Sequence, residues 1–186
     1  MLRRPTITAL LGIVLLGAAA CSQPETPDQG TPEQTTSSAP TSTAQGSQIP
    51  NPKNLKAVTD ACTLLTPNDL SEIGGGGEPE AQTSSYGETQ CDWQGENYGV
   101  GVAVNTKFGG PEKIFSKSGV TQIEVAGYPA GKMDETTSLC RIEVAVADDQ
   151  NVEIDYTKLG GKSPEMQDTC GYAQRLAEAV LKNIPA

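Results

Sequence analysis

Residues 139–147 read LCRIEVAVA, and apolar side chains alternate with polar ones at the start of this stretch. An extended strand here would place four apolar side chains on one face: Cys140, Ile142, Val144 and Val146. Arg141 and Glu143 would lie on the opposite face. Residues 148–151 form a turn, and Val152, Ile154 and Tyr156 repeat the alternation after it. The two segments therefore predict an antiparallel hairpin.

Further strands are predicted on the N-terminal side of this hairpin. Residues 89–93 and 98–105 alternate in the same way, and the turn residues 95–97 join them into a second hairpin. Residues 120–125 and 128–133 indicate two short strands around Gly127. An antiparallel sheet follows from these patterns.

Helix signals flank the strands. Thr66 and Pro67 are typical of an N-cap and a first helical position, and the short helix they predict ends near Ile73. A helical turn is predicted from Gly109 to Ser116. A long C-terminal helix is predicted from Ser163 as N-cap and Pro164 as first residue. Its apolar positions recur at spacings of three and four: Met166, Cys170, Ala173, Ala177, Val180 and Ile184. The predicted class is α+β, with a short N-terminal helix and a long C-terminal helix packed on one face of the antiparallel sheet.

The chain has five cysteines, and four of them fall within the predicted domain: Cys62, Cys91, Cys140 and Cys170. An even number in an exported domain is typical of two disulfides. Cys140 and Cys170 both lie on core-facing positions, which favours a 140–170 bridge and leaves Cys62 to pair with Cys91. The other two pairings remain open at this point. A four-cysteine zinc site is the alternative, but no two of these cysteines form a Cys-x-x-Cys pair.

The N-terminus is typical of a lipoprotein signal. Arg3 and Arg4 precede an apolar run over residues 6–16, and the small residues 18–20 lead directly to Cys21. We expect residues 1–20 to be a signal peptide and the Cys21 thiol to carry a lipid that anchors the protein to the outer face of the cytoplasmic membrane. A plain secreted protein with one additional cysteine is the alternative.

Residues 21–54 are rich in Pro, Ser and Thr, and we expect a disordered tether there. A single α+β domain is expected over residues 55–186. Without the two signal arginines the chain keeps 11 basic and 23 acidic residues, a net charge of −12. Such a charge argues against a nucleic-acid partner.

The sequence contains no histidine, which excludes Ser-His-Asp chemistry and His-ligated metals. No catalytic, cofactor-binding or metal-binding residue is predicted. Residues 160–163 read GGKS, but Tyr156 stands where a phosphate-binding loop needs glycine, so a turn is expected. Residues 74–77 are four glycines, which we interpret as a helix-terminating loop.

Acidic residues do not form a recognisable site. Asp148 and Asp149 fit no calcium-binding spacing and are interpreted as a solvated turn. Glu143, Glu153 and Asp155 are expected to be solvated charges on the outer face of their strands. The single tryptophan, Trp93, alternates with Cys91 and is expected in the core.

With the four-cysteine arrangement in place, the chain resembles a group of actinobacterial lipoproteins built on a domain of unknown function, the LprB/LprC-like group. The resemblance covers nearly all of residues 58–186. Its most specific pieces are residues 61–70, which read ACTLLTPNDL, and residues 91–93, which read CDW. Further matches are GYPA at 127–130, LCRIEV at 139–144 and CGYA at 170–173. The resemblance implies a cell-envelope location and brings no catalytic residue.

Three functions are compatible with the sequence. The first is a non-enzymatic envelope module that binds a protein or glycan partner. The second is a carrier of an apolar ligand between sheet and helix, which would require a pocket lined by Val144, Ile154 and Val180. The third is a carboxylate-based cell-wall hydrolase, which would require two close carboxylates in a cleft.

Overall fold

The computed structural model describes residues 49–160 and 167–186. They form a seven-stranded, fully antiparallel sheet with three α-helices and two short 3-10 turns. The strands are β1 Glu78–Thr83, β2 Thr89–Gln94, β3 Tyr98–Asn105, β4 Thr121–Val125, β5 Tyr128–Met133, β6 Leu139–Ala147 and β7 Gln150–Lys158. The helices are α1 Pro67–Glu72, α2 Pro111–Phe115 and α3 Thr169–Asn183, and the 3-10 turns are Leu55–Ala57 and Ala61–Leu64. The strand order is β1-β2-β3-β7-β6-β5-β4, which confirms the predicted α+β class.

The predicted hairpin β6–β7 lies in the middle of the sheet. Cys140 lies opposite Tyr156, and Ile142 lies opposite Ile154. These side chains are completely buried and face α3. Strand β3 pairs with the other side of β7, so it adds its own valines to the same apolar face.

Helix α3 covers this apolar face and completes the hydrophobic core. Its N-cap is Asp168, whose carboxylate accepts a hydrogen bond from the Gly171 N–H. The described part of the predicted apolar stripe is buried: Cys170, Ala173, Ala177, Val180 and Ile184. Leu176 and Leu181 are buried beside it. The predicted start at Ser163 and Pro164, together with Met166, lies outside the described residues.

Helix α1 begins as predicted. The Thr66 side chain accepts from the Asp69 N–H, and the Asp69 carboxylate accepts in return from the Thr66 N–H, which forms a capping box. The burial of Leu70 fixes the helix against the core. Helix α2, also predicted, packs on the opposite face of the sheet through Ile114.

Both favoured disulfide pairings are present. Cys62 is bonded to Cys91 and Cys140 to Cys170, with Cα–Cα distances of 5.0 and 5.2 Å. The first bridge ties the second 3-10 turn to β2, and the second ties β6 to α3. The bridges therefore connect each flanking segment to the sheet it covers.

Strand β1 is not among the predicted strands. All six of its residues are exposed, so the sequence lacks the alternation that marks the other strands. It is an edge strand, and Glu78, Pro79 and Glu80 supply the charges and the proline that natural edge strands use against unwanted pairing.

The chain joins the domain through residues 49–54, the last part of the predicted tether. Ile49 is buried against Ile114, and the Lys53 N–H donates to the Val146 carbonyl at 2.8 Å. Cys21, residues 1–20 and the tether up to residue 48 lie outside the described residues. No helix in the described part of the chain is long and apolar enough to cross a membrane.

Candidate functional site

The outer face of the sheet, which is the face turned away from α3, carries most of the polar side chains of the strands. The register places them in three rows that run across the strands. The middle row contains Glu80, Asp92, Gly101, Asp155 and Arg141. The flanking rows contain Glu78, Gln94, Gly99 and Thr157 on one side and Gln82, Gln90, Ala103, Glu153 and Glu143 on the other.

The prediction that Glu143 and Glu153 are solvated is wrong. The side chain of Glu143 is only 1% exposed, because α2 and the loop after it cover this end of the outer face. Its carboxylate is ion-paired with Lys117 and accepts from Asn151 Nδ2 at 3.2 Å. Sequence alternation could not show this burial, since it identifies only the faces of a strand and not what covers them.

Glu153 lies opposite Glu143 and is also largely covered, with its side chain 13% exposed. The Tyr86 hydroxyl donates to its carboxylate at 3.2 Å, and Arg141 Nε lies 3.5 Å away. Burial, followed by the negative charges of Asp155 and Glu143, raises the pKa of Glu153 to about 7. Glu143 and Glu153 thus resemble a catalytic carboxyl pair, but Lys117 and Tyr86 contact and cover their carboxyl groups.

Asp155 is the third predicted acidic residue, and it is one-third exposed. Its carboxylate accepts from Arg141 Nε at 2.7 Å. Arg141 also lies 3.5 Å from Asp134 at the end of β5. The arginine is therefore held by carboxylates on both sides.

A groove of about 340 Å³, here called the sheet groove, crosses the uncovered part of the outer face. Its floor is the backbone of β3 at Gly99 and Gly101, where side chains are missing. A Cβ atom on Gly101 would lie 3.1 Å from Asp92 Oδ1, so this glycine leaves the space between β2 and β7 open. Polar side chains and one exposed leucine form the rim: Gln90, Asp92, Gln94, Asp155, Thr157 and Leu159.

A second depression of about 410 Å³, here called the turn pocket, adjoins the groove at Gln94. It lies between the glycine loop 74–77 and the β2–β3 turn, where the Gly95 N–H donates to the Tyr98 carbonyl at 2.9 Å. Glu96 and Asn97 provide its polar wall.

The glycine loop ends α1 as predicted, since the Gly75 N–H donates to the Leu70 carbonyl at 2.6 Å. No pattern in the sequence indicated which residues lie beneath this loop. The Gly76 N–H donates to the Tyr98 hydroxyl, and the ring of Tyr172 lies 6.4 Å from that of Tyr98. Tyr156 completes this cluster, with its ring 4.5 Å from Tyr172.

Two hydroxyls of this cluster, those of Tyr156 and Tyr172, are buried and have no hydrogen-bond partner among the described residues. Burial raises the pKa of Tyr172, so its hydroxyl stays protonated. Gly75 covers the cluster closely. A Cβ atom on Gly75 would lie 2.8 Å from the Tyr172 hydroxyl and 3.1 Å from that of Tyr98.

The other residues considered as possible site residues from the sequence do not lie together. Asp149 is exposed in the β6–β7 turn and accepts from Lys56 Nζ at 2.9 Å. Trp93 is buried in the core. Gly160 follows β7, whereas residues 161–163 of the GGKS stretch lie outside the described residues. Across residues 49–160 and 167–186, no group of three His, Cys, Asp or Glu side chains is arranged to hold a metal ion.

The carrier hypothesis required a pocket lined by Val144, Ile154 and Val180. All three side chains are completely inaccessible and belong to one hydrophobic core cluster. They pack between sheet and helix at the position where an apolar ligand would have to lie. The sheet groove is instead on the opposite face of the sheet.

These features define a disulfide-linked α+β domain with a packed core and an open, glycine-floored groove on the outer face of its sheet. The chain belongs to the family described as "Protein of unknown function (DUF3558)", whose sequence profile matches residues 16–183. No curated protein and no solved structure shows significant similarity to the chain. The family assignment carries no residue roles, so the function has to be argued from the domain itself.

Proposed function

We propose that this protein is a non-enzymatic binding module of the cell envelope, held at the outer face of the cytoplasmic membrane by a lipid on Cys21. The location rests on the signal pattern before Cys21 and on the even number of cysteines in the domain. The binding role rests on the outer face of the sheet.

The observation that carries the binding role is the sheet groove together with the turn pocket. Strand β2 buries Cys91 and Trp93 on its inner face, and its outer-facing side chains, those of Gln90, Asp92 and Gln94, form part of the groove rim. Gly99 and Gly101 have no side chains to fill the groove, so it stays open between these polar groups. A concave surface with several convergent polar groups is the usual form of a binding site.

A catalytic role has weaker support. Glu143 and Glu153 are close and one pKa is raised, as a general acid would require. However, Glu143 is enclosed by Lys117 and Asn151, and Glu153 is capped by the Tyr86 hydroxyl. A substrate would have to displace these partners to reach either carboxyl group. We therefore interpret the pair as a structural polar network.

Site-specific photo-crosslinking in intact cells tests the proposal. A photoreactive amino acid replaces Gln94, which lies between the two depressions, in the full-length chain. The matched control replaces Gln122, an exposed glutamine on β4 that also faces outward but lies at the far edge of the sheet. We expect a reproducible envelope adduct from position 94 and none from position 122.

Equal adducts at both positions, or none at either, would contradict a binding role for this surface. A hydrolytic role is tested separately with the purified chain and cell-wall fragments. We expect no turnover, and turnover that disappears in Glu153→Gln would replace the binding module with a hydrolase.

A further inference from the structure

We infer that the sheet groove and the turn pocket together bind a hydroxyl-rich glycan chain. The inference rests on the proposed binding function and specifies its ligand. It follows from the lining residue that the two depressions share, Gln94, and from the hydrogen-bonding groups around them.

The two depressions are neighbours at the end of β2, where they share the lining residue Gln94. Both are lined by Gln94, and together they extend from the glycine loop 74–77 across the β2–β3 turn to Asp155 and Leu159 on the far side of β3. Their volumes of about 410 and 340 Å³ each fall within the range of small-molecule sites. An elongated ligand could place successive units in each.

The lining offers donors and acceptors side by side. Gln90, Gln94 and Asn97 carry amides, which both donate and accept, while the carboxylates of Asp92 and Asp155 only accept. Gln90 Nε2 already donates to Asp92 Oδ1 at 2.9 Å, so the two groups are held as a unit. A sugar hydroxyl also donates and accepts, and it can therefore satisfy both kinds of group at once.

Other ligand classes fit the lining less well. The described lining residues include no lysine or arginine, and the neighbouring Arg141 is hydrogen-bonded to Asp155, so an anionic polymer would find no positively charged side chain in the lining. Leu159 is the only large exposed apolar side chain of the groove, which is too little for a lipid chain. A cationic peptide would suit the carboxylates but would leave the amides without a specific role, and its binding would weaken with salt.

Gly99 allows a direct test, because it can be replaced without damage to the core. A Cβ atom there would meet only Gln94 Oε1, at 3.5 Å, which is ordinary van der Waals contact. Gly99→Val would fill the floor of the groove, and valine favours a strand conformation that glycine weakens. The control is Gln122→Val, which adds the same side chain to exposed strand β4 at the opposite edge.

The experiment measures binding of the purified full-length chain to two probes, protein-free cell-wall glycan and a soluble N-acetylglucosamine hexamer. We expect binding that persists in about 0.5 M NaCl and weakens by about tenfold or more in Gly99→Val, with the Gln122→Val control unchanged. Thermal unfolding of each variant verifies that the fold is retained.

Absence of binding to both probes would overturn the glycan inference, and so would binding that Gly99→Val leaves intact or that salt abolishes. A protein adduct at position 94 without glycan binding would also overturn it, while the proposed binding function would stand. Loss of both the adduct and the glycan binding would remove the two proposals together.

Discussion

Glu143 and Glu153 lie directly opposite each other on β6 and β7, and both carboxyl groups are withdrawn from solvent beneath Tyr86 and Lys117. Burial, followed by the negative charges of Asp155 and Glu143, raises the pKa of Glu153, so this carboxyl group holds its proton more tightly. Lys117 and Arg141 offset part of the charge but reach the pair from different sides. The stability of the domain should therefore depend on pH near neutrality.

The free energy of unfolding should fall as pH rises from 4.5 to about 7. The pKa of Glu153 is about 7 in the folded chain, against an ordinary value of 4.5, so between these values the folded chain keeps a proton that the unfolded chain releases. The stabilisation is fully present below pH 4.5 and is lost as pH rises to about 7. Urea unfolding between about pH 5 and about pH 8 should show a loss on the order of 1–3 kcal/mol.

Glu153→Gln should flatten this dependence, because the amide does not titrate. The exposed Glu124→Gln on β4 provides the control and should retain the wild-type slope. Stability that is constant with pH, or that increases towards pH 8, would show that Glu153 is not held protonated by this environment.

The two central glycines of the loop after α1 should differ in their tolerance of alanine. A Cβ atom on Gly75 would collide with the Tyr172 hydroxyl, whereas one on Gly76 would meet nothing within 4 Å. Gly75→Ala should lower the free energy of unfolding by about 1–3 kcal/mol through overpacking. Gly76→Ala should change it by less than about 0.5 kcal/mol.

Tyr172→Phe tests whether the Tyr172 hydroxyl causes the destabilisation expected for Gly75→Ala. It removes the hydroxyl that Gly75→Ala would strike, so the double variant should be less destabilised than the sum of the single variants. Because that hydroxyl is buried and has no hydrogen-bond partner within residues 49–160 and 167–186, the phenylalanine variant alone should be as stable as the wild type or more stable. Additive effects in thermal or urea unfolding would show that the close approach at Gly75 does not limit substitution.

The two disulfides should contribute similarly to stability. They join residues separated by 29 and 30 positions. Each bridge lowers the conformational entropy of the unfolded chain, and loop-closure theory gives a stabilisation of the folded state of about 3–4 kcal/mol per bridge. Paired alanine variants, Cys62→Ala with Cys91→Ala and Cys140→Ala with Cys170→Ala, should therefore show comparable losses in urea unfolding. A loss confined to one pair would show that native packing, rather than loop closure, determines the contribution.

Cys21→Ala should release the protein from the membrane. Cells grown with labelled fatty acid should mark the wild-type chain and not the variant, which should appear in the soluble fraction of the envelope. Labelling of the variant at the wild-type level would place the lipid elsewhere or reject the anchor.

The hairpin β6–β7 and helix α3 could be predicted because each buries a single face. Alternation marks Ile142 and Ile154, and a three-four spacing marks Ala173 and Ala177, so the contact between these faces could be predicted. The same faces favoured the two disulfide pairings that are present, without excluding the others. Strand β1 could not be predicted, because its residues are exposed on both sides and its position is set by pairing with β2.

The candidate site was almost invisible in the sequence for a different reason. The sheet groove depends on which residues become neighbours across strands, and Asp92, Gly101 and Asp155 are far apart along the chain. Glycines at alternate positions of β3, Gly99 and Gly101, were the one signal that could have indicated it, since a strand rarely omits side chains on one face without a packing or binding reason. The burial of Glu143 depended on α2, which alternation does not report.

The most direct test of the binding account is NMR on the isotope-labelled Cys21→Ala chain, with protein-free envelope glycan and then a detergent-solubilised envelope extract as titrants. We expect chemical-shift changes concentrated at the amides of Asp92, Gln94, Gly99 and Gly101, with the methyl signals of the buried core unchanged. Shifts concentrated instead at the methyl groups of Val144, Ile154 and Val180 would contradict the binding account and indicate a ligand between sheet and helix.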